Sequence, residues 1–199
     1  MNKFLFGLVS MTLMSSLSFA NAKVGAPAPA FEVMDATGKT QKLSDYKGKN
    51  VVLEWYNKDC PYVVKHYSVG NMQKIQKETT AKGVIWLTVI SSAKGKQGYL
   101  ESKEALANAQ KAGAASSAIL IDDLGKMGKA YGAKTTPHMY LIDDKGVLRY
   151  NGAIDSNSSA DSATIAKAEN YILAATTSLM KGEKIAVEST KPYGCSVKY

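Results

Sequence analysis

The apolar positions fall into short runs separated by turn signals. Residues 51–56 form a strongly apolar run interrupted only by Glu54, and residues 84–90 form a second; both predict buried strands. Residues 31–33 and 41–43 flank Asp35-Ala36-Thr37-Gly38, a hairpin signal, and residues 44–48 read as a turn. A short strand is predicted over 118–121. Residues 139–142 and 147–150 predict a hairpin across Asp143-Asp144-Lys145-Gly146. A helix is predicted from Cys60-Pro61, with Asp59 as its cap, because proline is favoured in the first helical turn. It breaks at Ser68-Val69-Gly70-Asn71 and restarts over 72–82. Further helices are predicted over 102–112, ending at Gly113, over 124–131, and as one amphipathic helix over 162–180. Residues 91–99 read as an exposed loop. The order is a hairpin, βαβαβ, then antiparallel ββα. It implies an α/β fold with a mixed central sheet and helices on both faces.

Residues 1–22 have the pattern of a secretory signal. Lys3 supplies the positive start, residues 4–9 and 11–17 the apolar stretch, and Ala20-Asn21-Ala22 a small-x-small cleavage site. The expectation is an exported protein, periplasmic or otherwise extracytoplasmic, beginning at Lys23 and without an integral membrane segment once the signal is removed. Residues 23–199 fit one domain, with 182–199 as a tail carrying Cys195. The chain holds 25 Lys+Arg against 17 Asp+Glu, but Arg149 is its single arginine and the lysines are scattered. Nucleic-acid binders cluster basic residues and favour arginine, so no nucleic-acid partner is expected.

The chain has two cysteines. An oxidising compartment leaves them free to pair, yet two are too few for a disulfide scaffold, so chemistry is the better reason for them. Cys60 follows an apolar strand and opens a helix. There, unpaired N–H groups, the helix dipole and nearby Lys58 favour a thiolate. Cys60, His66 and His138 are the one set to weigh for copper or zinc, but no Cys/His pair has metal-motif spacing. No glycine loop cradles phosphate. Neither a metal nor an organic cofactor is expected.

Three stretches, in this order, resemble the thioredoxin-like superfamily, and within it the redoxin branch (alkyl hydroperoxide reductase/thiol-specific antioxidant). They are Ala28-Pro29-Ala30-Phe31 through Leu43-Ser44-Asp45-Tyr46-Lys47-Gly48, residues 51–63, and Tyr131-Gly132-Ala133-Lys134-Thr135-Thr136-Pro137-His138 through Gly152. The resemblance implies a thioredoxin-like fold. It places Cys60 at the first cysteine of a Cys-x-x-Cys, with Val63 where the second would stand. It places Pro137 at the cis-proline facing the nucleophile, and Glu54 where thioredoxins keep a buried proton-transfer carboxylate. Peroxiredoxins carry Pro and Thr ahead of their peroxidatic cysteine; here the residues are Trp55-Tyr56-Asn57-Lys58-Asp59, so the chain resembles the peroxiredoxin-like redoxins that keep only the forward cysteine.

The expected site is therefore Cys60 as nucleophile, Cys195 as resolving thiol, and Glu54 and Pro137 in support. Pro61, Tyr62, Thr136 and His138 would form a substrate groove. A Cys60–Cys195 disulfide would close a loop of about 135 residues, contributing roughly 5 kcal/mol if unstrained, whether as a permanent clamp or a reversible pair; pairing between chains is also open. Glu54 is either a buried proton shuttle or an edge acid paired with a lysine. His138 either assists the thiolate or is structural, and His66 is a surface or packing residue. Tyr62, Tyr67 and Trp55 read as core and groove walls. The activity expected is thiol–disulfide exchange with protein thiols or disulfides and a redox partner protein. The alternatives are a thiol peroxidase, a binding module locked by a Cys60–Cys195 disulfide, and a metal carrier.

Overall fold

The run around Glu54 forms the middle strand of the sheet, β3 (Val51–Trp55), with every residue buried. A strand covered on both faces reads as a nearly continuous apolar run, which is why the alternation of a half-exposed strand is missing. In the computed structural model, whose described residues are 22–199, the sheet runs β5-β4-β3-β7-β8. β4 (Ile85–Ile90) pairs parallel with β3, and β5 (Ala118–Ile121) parallel with β4. β7 (His138–Ile142) pairs antiparallel with β3, and β8 (Leu148–Gly152) antiparallel with β7. All but the last residue of the expected signal lies outside the described residues.

On one face Val52, Trp86, Met139 and Leu141 pack on Met72 and Ile75 of α2 (Asn71–Thr80) and on Ile172 and Ala175 of α5 (Tyr171–Met180). On that face too, Ile90 and Ile119 meet Val63 of α1 (Pro61–Tyr67) and Ala105 of α3 (Ser102–Ala112). The opposite face buries Leu53, Trp55, Val89 and Tyr140 against Phe31 and against Met127 and Tyr131 of α4 (Lys126–Tyr131). Phe31 leads into a hairpin of β1 (Glu32–Met34) and β2 (Thr40–Lys42). This is the thioredoxin-like arrangement, a mixed sheet with helices on both faces. Among the described residues no helix is long and apolar enough to cross a membrane.

Three local expectations need correction. The helix expected over 162–180 is two pieces, a 3₁₀ turn at Ser162–Lys167 and then α5. Asn170 caps α5, its side chain accepting from Leu173 N–H at 2.9 Å. The Glu169 backbone is committed to Ser156 (2.9 and 3.0 Å), so capping and a cross-loop pair outcompete helix continuation. Asp59 does not cap α1; Cys60 holds that position, and Asp59 pairs with Lys58 at 2.6 Å. The loop 91–99 is exposed only in its middle. Ser91, Ser92 and Gly98 are buried, and a Cβ on Gly98 would lie 2.3 Å from Asn57. The tail that carries Cys195 lies against the body of the protein: β9 (Cys195–Ser196) pairs antiparallel with β6 (Thr135–Thr136).

Candidate active site

Cys60 sits at the junction of strand and helix. Its carbonyl accepts the N–H groups of Val63 and Val64, both at 2.9 Å, and Pro61 fills the first helical position, where a missing N–H costs nothing. The thiol is fully buried. It donates to the Thr136 carbonyl at 2.9 Å, beside the cis Thr136–Pro137 peptide. From the other side the Cys195 N–H donates to Cys60 Sγ at 3.4 Å. Both cysteines are free thiols.

Burial alone pushes the Cys60 thiol up. The Cys195 thiol, the Thr136 side chain and the N–H groups of Cys195 and Val63 outweigh that effect and leave its pKa below the ordinary value. The buried Thr136 hydroxyl has no hydrogen-bond partner among the described residues, so it is available to a thiolate. Cys195 moves the opposite way, pushed up to about 12 by burial and then by facing Cys60. The two thiols therefore ionise in order, Cys60 first. Lys58 takes no part, because its ammonium is held by Asp59 on the surface.

Glu54 is fully buried and raised to about 7 by that burial, against donors from Trp86 Nε1 (2.8 Å), Tyr67 Oη (2.9 Å) and Gln76 Nε2 (3.1 Å). The edge acid paired with a lysine is excluded. Cys60 is not among its hydrogen-bond partners. The link runs through Tyr67, whose ring meets Tyr56 edge-on at 5.3 Å in the cluster that holds Cys60.

Of the expected groove residues, Pro61 is exposed and Tyr62 half-buried beside the tail, its ring 5.7 Å from that of Tyr193. Thr136 is buried because β9 covers it. His138 neither lines a groove nor assists the thiolate. Two residues before Tyr140 on the strand, it shares with it the face that α4 covers. There it stacks on Tyr140 (4.5 Å), and its Nδ1 faces Tyr140 Oη (3.2 Å) and accepts from Lys134 N–H (3.3 Å). Burial lowers its pKa to about 4, so it stays neutral. His66 is not at the surface either: it is fully buried, with Nδ1 on Asn71 at 2.8 Å and Nε2 3.7 Å from Asp155. Cys60, His66 and His138 do not converge, and among the described residues no three metal-competent side chains do.

The sequence reading missed an anchor. Lys65, fully buried in α1, reaches Asp155 Oδ2 (3.2 Å) and the Asn157 carbonyl (2.7 Å), and the Tyr193 hydroxyl donates to Asp155 Oδ1. This cluster ties the helix that Cys60 opens to the tail two residues before Cys195. Its trace in the sequence is the pair of tyrosines, 193 and 199, bracketing Cys195 in an otherwise polar segment.

The family model for Redoxin matches residues 23–172. The chain is 31% identical to peroxiredoxin-2 of Macaca fascicularis over 152 residues, spanning 67% of this chain and 70% of that protein. It is 29% identical to the thiol-disulfide oxidoreductase ResA of Bacillus thuringiensis subsp. konkukian over 144 residues, spanning 71% of this chain and 78% of that protein. Among solved structures, a hypothetical protein from Sinorhizobium meliloti 1021 superposes with a TM-score of 0.73 at 22% identity, covering 90% of this chain and 96% of its own. The thioredoxin domain of a thiol-disulfide oxidoreductase from Bacteroides vulgatus superposes at 0.52 and 19% identity, covering 74% of this chain and 98% of its own. The match over residues 23–172 takes in the opening hairpin, the Cys60 strand–helix junction and the Pro137 loop, and the chain belongs to the Redoxin family.

Proposed function

We infer that this protein is an exported thiol–disulfide oxidoreductase in which Cys60 is the nucleophile and Cys195 the resolving thiol. The observation that carries the reading is the pairing of β9 with β6, which brings the Cys195 N–H to 3.4 Å from a Cys60 sulfur whose pKa is lowered. The Cys60 thiolate attacks a partner's disulfide, forming a Cys60–partner mixed disulfide and releasing the partner's second sulfur as thiolate. Once Cys60 is in that disulfide it carries no charge, so its push on the Cys195 pKa disappears. Cys195 then gives up its proton and attacks Cys60 Sγ, forming the Cys60–Cys195 disulfide and releasing the reduced partner. A redox partner protein returns the pair to dithiol. The leader-like residues 1–22, and two cysteines able to pair in an oxidising compartment, support a periplasmic or otherwise extracytoplasmic setting.

Likeness to peroxiredoxin-2 favours a second reading, in which a peroxide oxidises Cys60 to a sulfenic acid that Cys195 condenses to the same disulfide with loss of water. The residues ahead of Cys60 weigh against it: Trp55-Tyr56-Asn57-Lys58-Asp59 stand where peroxiredoxins carry Pro and Thr. The test is mass-spectrometric thiol trapping of the protein in glutathione buffers. A Cys60–Cys195 disulfide that equilibrates at about −120 to −270 mV is expected of a working exchange centre. One resisting reduction below roughly −300 mV marks a clamp and sinks the reading. Peroxide consumption faster than disulfide exchange would move the second reading to the front.

A further inference from the structure

A nucleophile that must attack a partner is here fully buried, and the chain's own tail lies against it, with the Cys195 N–H 3.4 Å from its sulfur. The tail is bound as a peptide ligand is bound, by strand addition flanked by side chains seated in recesses. Cys195-Ser196 adds antiparallel to Thr135-Thr136, and Val197 N–H continues the ladder to the Lys134 carbonyl at 3.0 Å. On one side Tyr193 is held by buried Asp155, with the Lys65 ammonium 5.5 Å from its ring centre. On the other, the Tyr199 hydroxyl donates to the Ala133 carbonyl at 2.8 Å, and its ring fills a recess where a Cβ on Gly125 or Gly128 would lie 2.4 Å away. Gly194 crosses the Thr136 carbonyl so closely, at φ +139°, that a Cβ would sit 2.0 Å from it. Among the described strands, β6 pairs only with β9. Remove the tail, and the open edge next to Cys60 is a two-residue strand with free backbone groups.

We propose that residues 190–199 are a tethered pseudo-substrate: β9 occupies the edge of β6 on which an extended, disulfide-bearing segment of a partner protein pairs, and Tyr193 and Tyr199 are positioning residues that set how often Cys60 is uncovered. The partner docks by the same strand addition, so its first contacts are backbone groups and its recognition tolerates varied side chains. The same anchors that exclude the partner hold Cys195 ready once the mixed disulfide has formed. This inference rests on the exchange reading of Cys60 and Cys195.

The test uses the full chain. In a Cys195→Ser background Cys60 is the single thiol, and its mixed-disulfide formation with an extended peptide carrying a pyridyl disulfide is followed by mass spectrometry. Tyr199→Ala and Tyr193→Phe each remove a hydrogen bond that seats the tail and are expected to raise that rate about tenfold, the factor carried by one lost hydrogen bond of about 1.4 kcal/mol; Gly194→Ala, which sets a Cβ against the Thr136 carbonyl, is expected to raise it at least as much. In the two-cysteine protein the same substitutions slow closure of the Cys60–Cys195 disulfide. Opposite signs in the two assays are the signature; a merely structural tail gives losses in both, which overturns the proposal. Hydrogen exchange at the Cys195 and Val197 amides, with a serine analogue of the peptide that cannot react, separates the two readings. Faster exchange with the analogue present, alongside an inert Cys60, upholds the tethered strand and refutes the exchange reading. A reactive Cys60 with unchanged exchange refutes the tethered strand alone.

Discussion

The backbone N–H of Cys195 points at the sulfur of Cys60 across 3.4 Å, from a strand that pairs, among the described residues, with the segment leading into Pro137. One contact thus couples the ionisation of the first thiol to the position of the second. Cys60 lacks a thioredoxin-type partner cysteine within its own helix, since Val63 stands there and is buried in the same cluster. The tail supplies the second sulfur from outside the helix.

Cys195→Ala tests that coupling. The side chain of Cys195 is the leading group that offsets burial at Cys60, and the backbone N–H survives the substitution. The Cys60 pKa should rise without reaching that of a buried thiol lacking donors. Thiolate ultraviolet absorbance against pH reads it directly, and an unchanged or lowered value would refute the coupling.

Glu54 should leave a mark on the pH dependence of stability. Its pKa rises from 4.5 to about 7 on folding, so its contribution is fully present below pH 4.5 and is lost as pH climbs through 7. The loss amounts to roughly 3 kcal/mol. His66 and His138, lowered from 6.5 to about 4, act oppositely: their contribution is present above 6.5 and lost as pH falls through 4. The wild-type curve sums these effects, so the difference from Glu54→Gln isolates the carboxylate. Urea denaturation should show the variant gaining on wild type between pH 4.5 and 7 and holding that gain above 7. A flat difference would mean Glu54 is charged throughout.

Among the described residues Lys65 is the sole cation against Asp155, with His66 neutral at physiological pH. Lys65→Met leaves a buried carboxylate uncompensated and should cost about 3–5 kcal/mol. Lys65→Met combined with Asp155→Asn should recover part of that, because the orphaned charge is gone. Equal losses in the single and double variants, by chemical denaturation, would show that the ammonium contributes packing rather than charge.

The parts of the fold carried by local pattern were legible. Helix α3 over 102–112 ends at a left-handed Gly113, and β5 over 118–121 falls where the apolar run does. The split of 162–180 was not, because Ile165 and Ile172 keep helical spacing across a break set by Asn170 and by Ser156, a partner distant in sequence. The same divide runs through the site. Cys60 and Pro137 announce themselves by neighbours in the chain. What Cys195 faces depends on strand addition between segments about 60 residues apart, and the meeting of Tyr193 with Asp155 on a contact between residues 38 apart. His138 misled because adjacency to Pro137 in sequence says nothing about which face of a strand the ring takes.

The hydrogen bond from Trp86 to Glu54 has a practical side. The chain contains two tryptophans, both fully buried. Trp86 Nε1 donates to Glu54 Oε2 at 2.8 Å, whereas Trp55 Nε1 donates to the uncharged Ser91 hydroxyl at 3.0 Å. One indole therefore donates directly to a group whose charge appears and vanishes near neutral pH, while the other donates to a hydroxyl. The molecule carries a built-in optical gauge with its own internal reference, and Trp86→Phe and Trp55→Phe proteins would let the protonation of an otherwise silent carboxylate be watched by fluorescence, with no label attached.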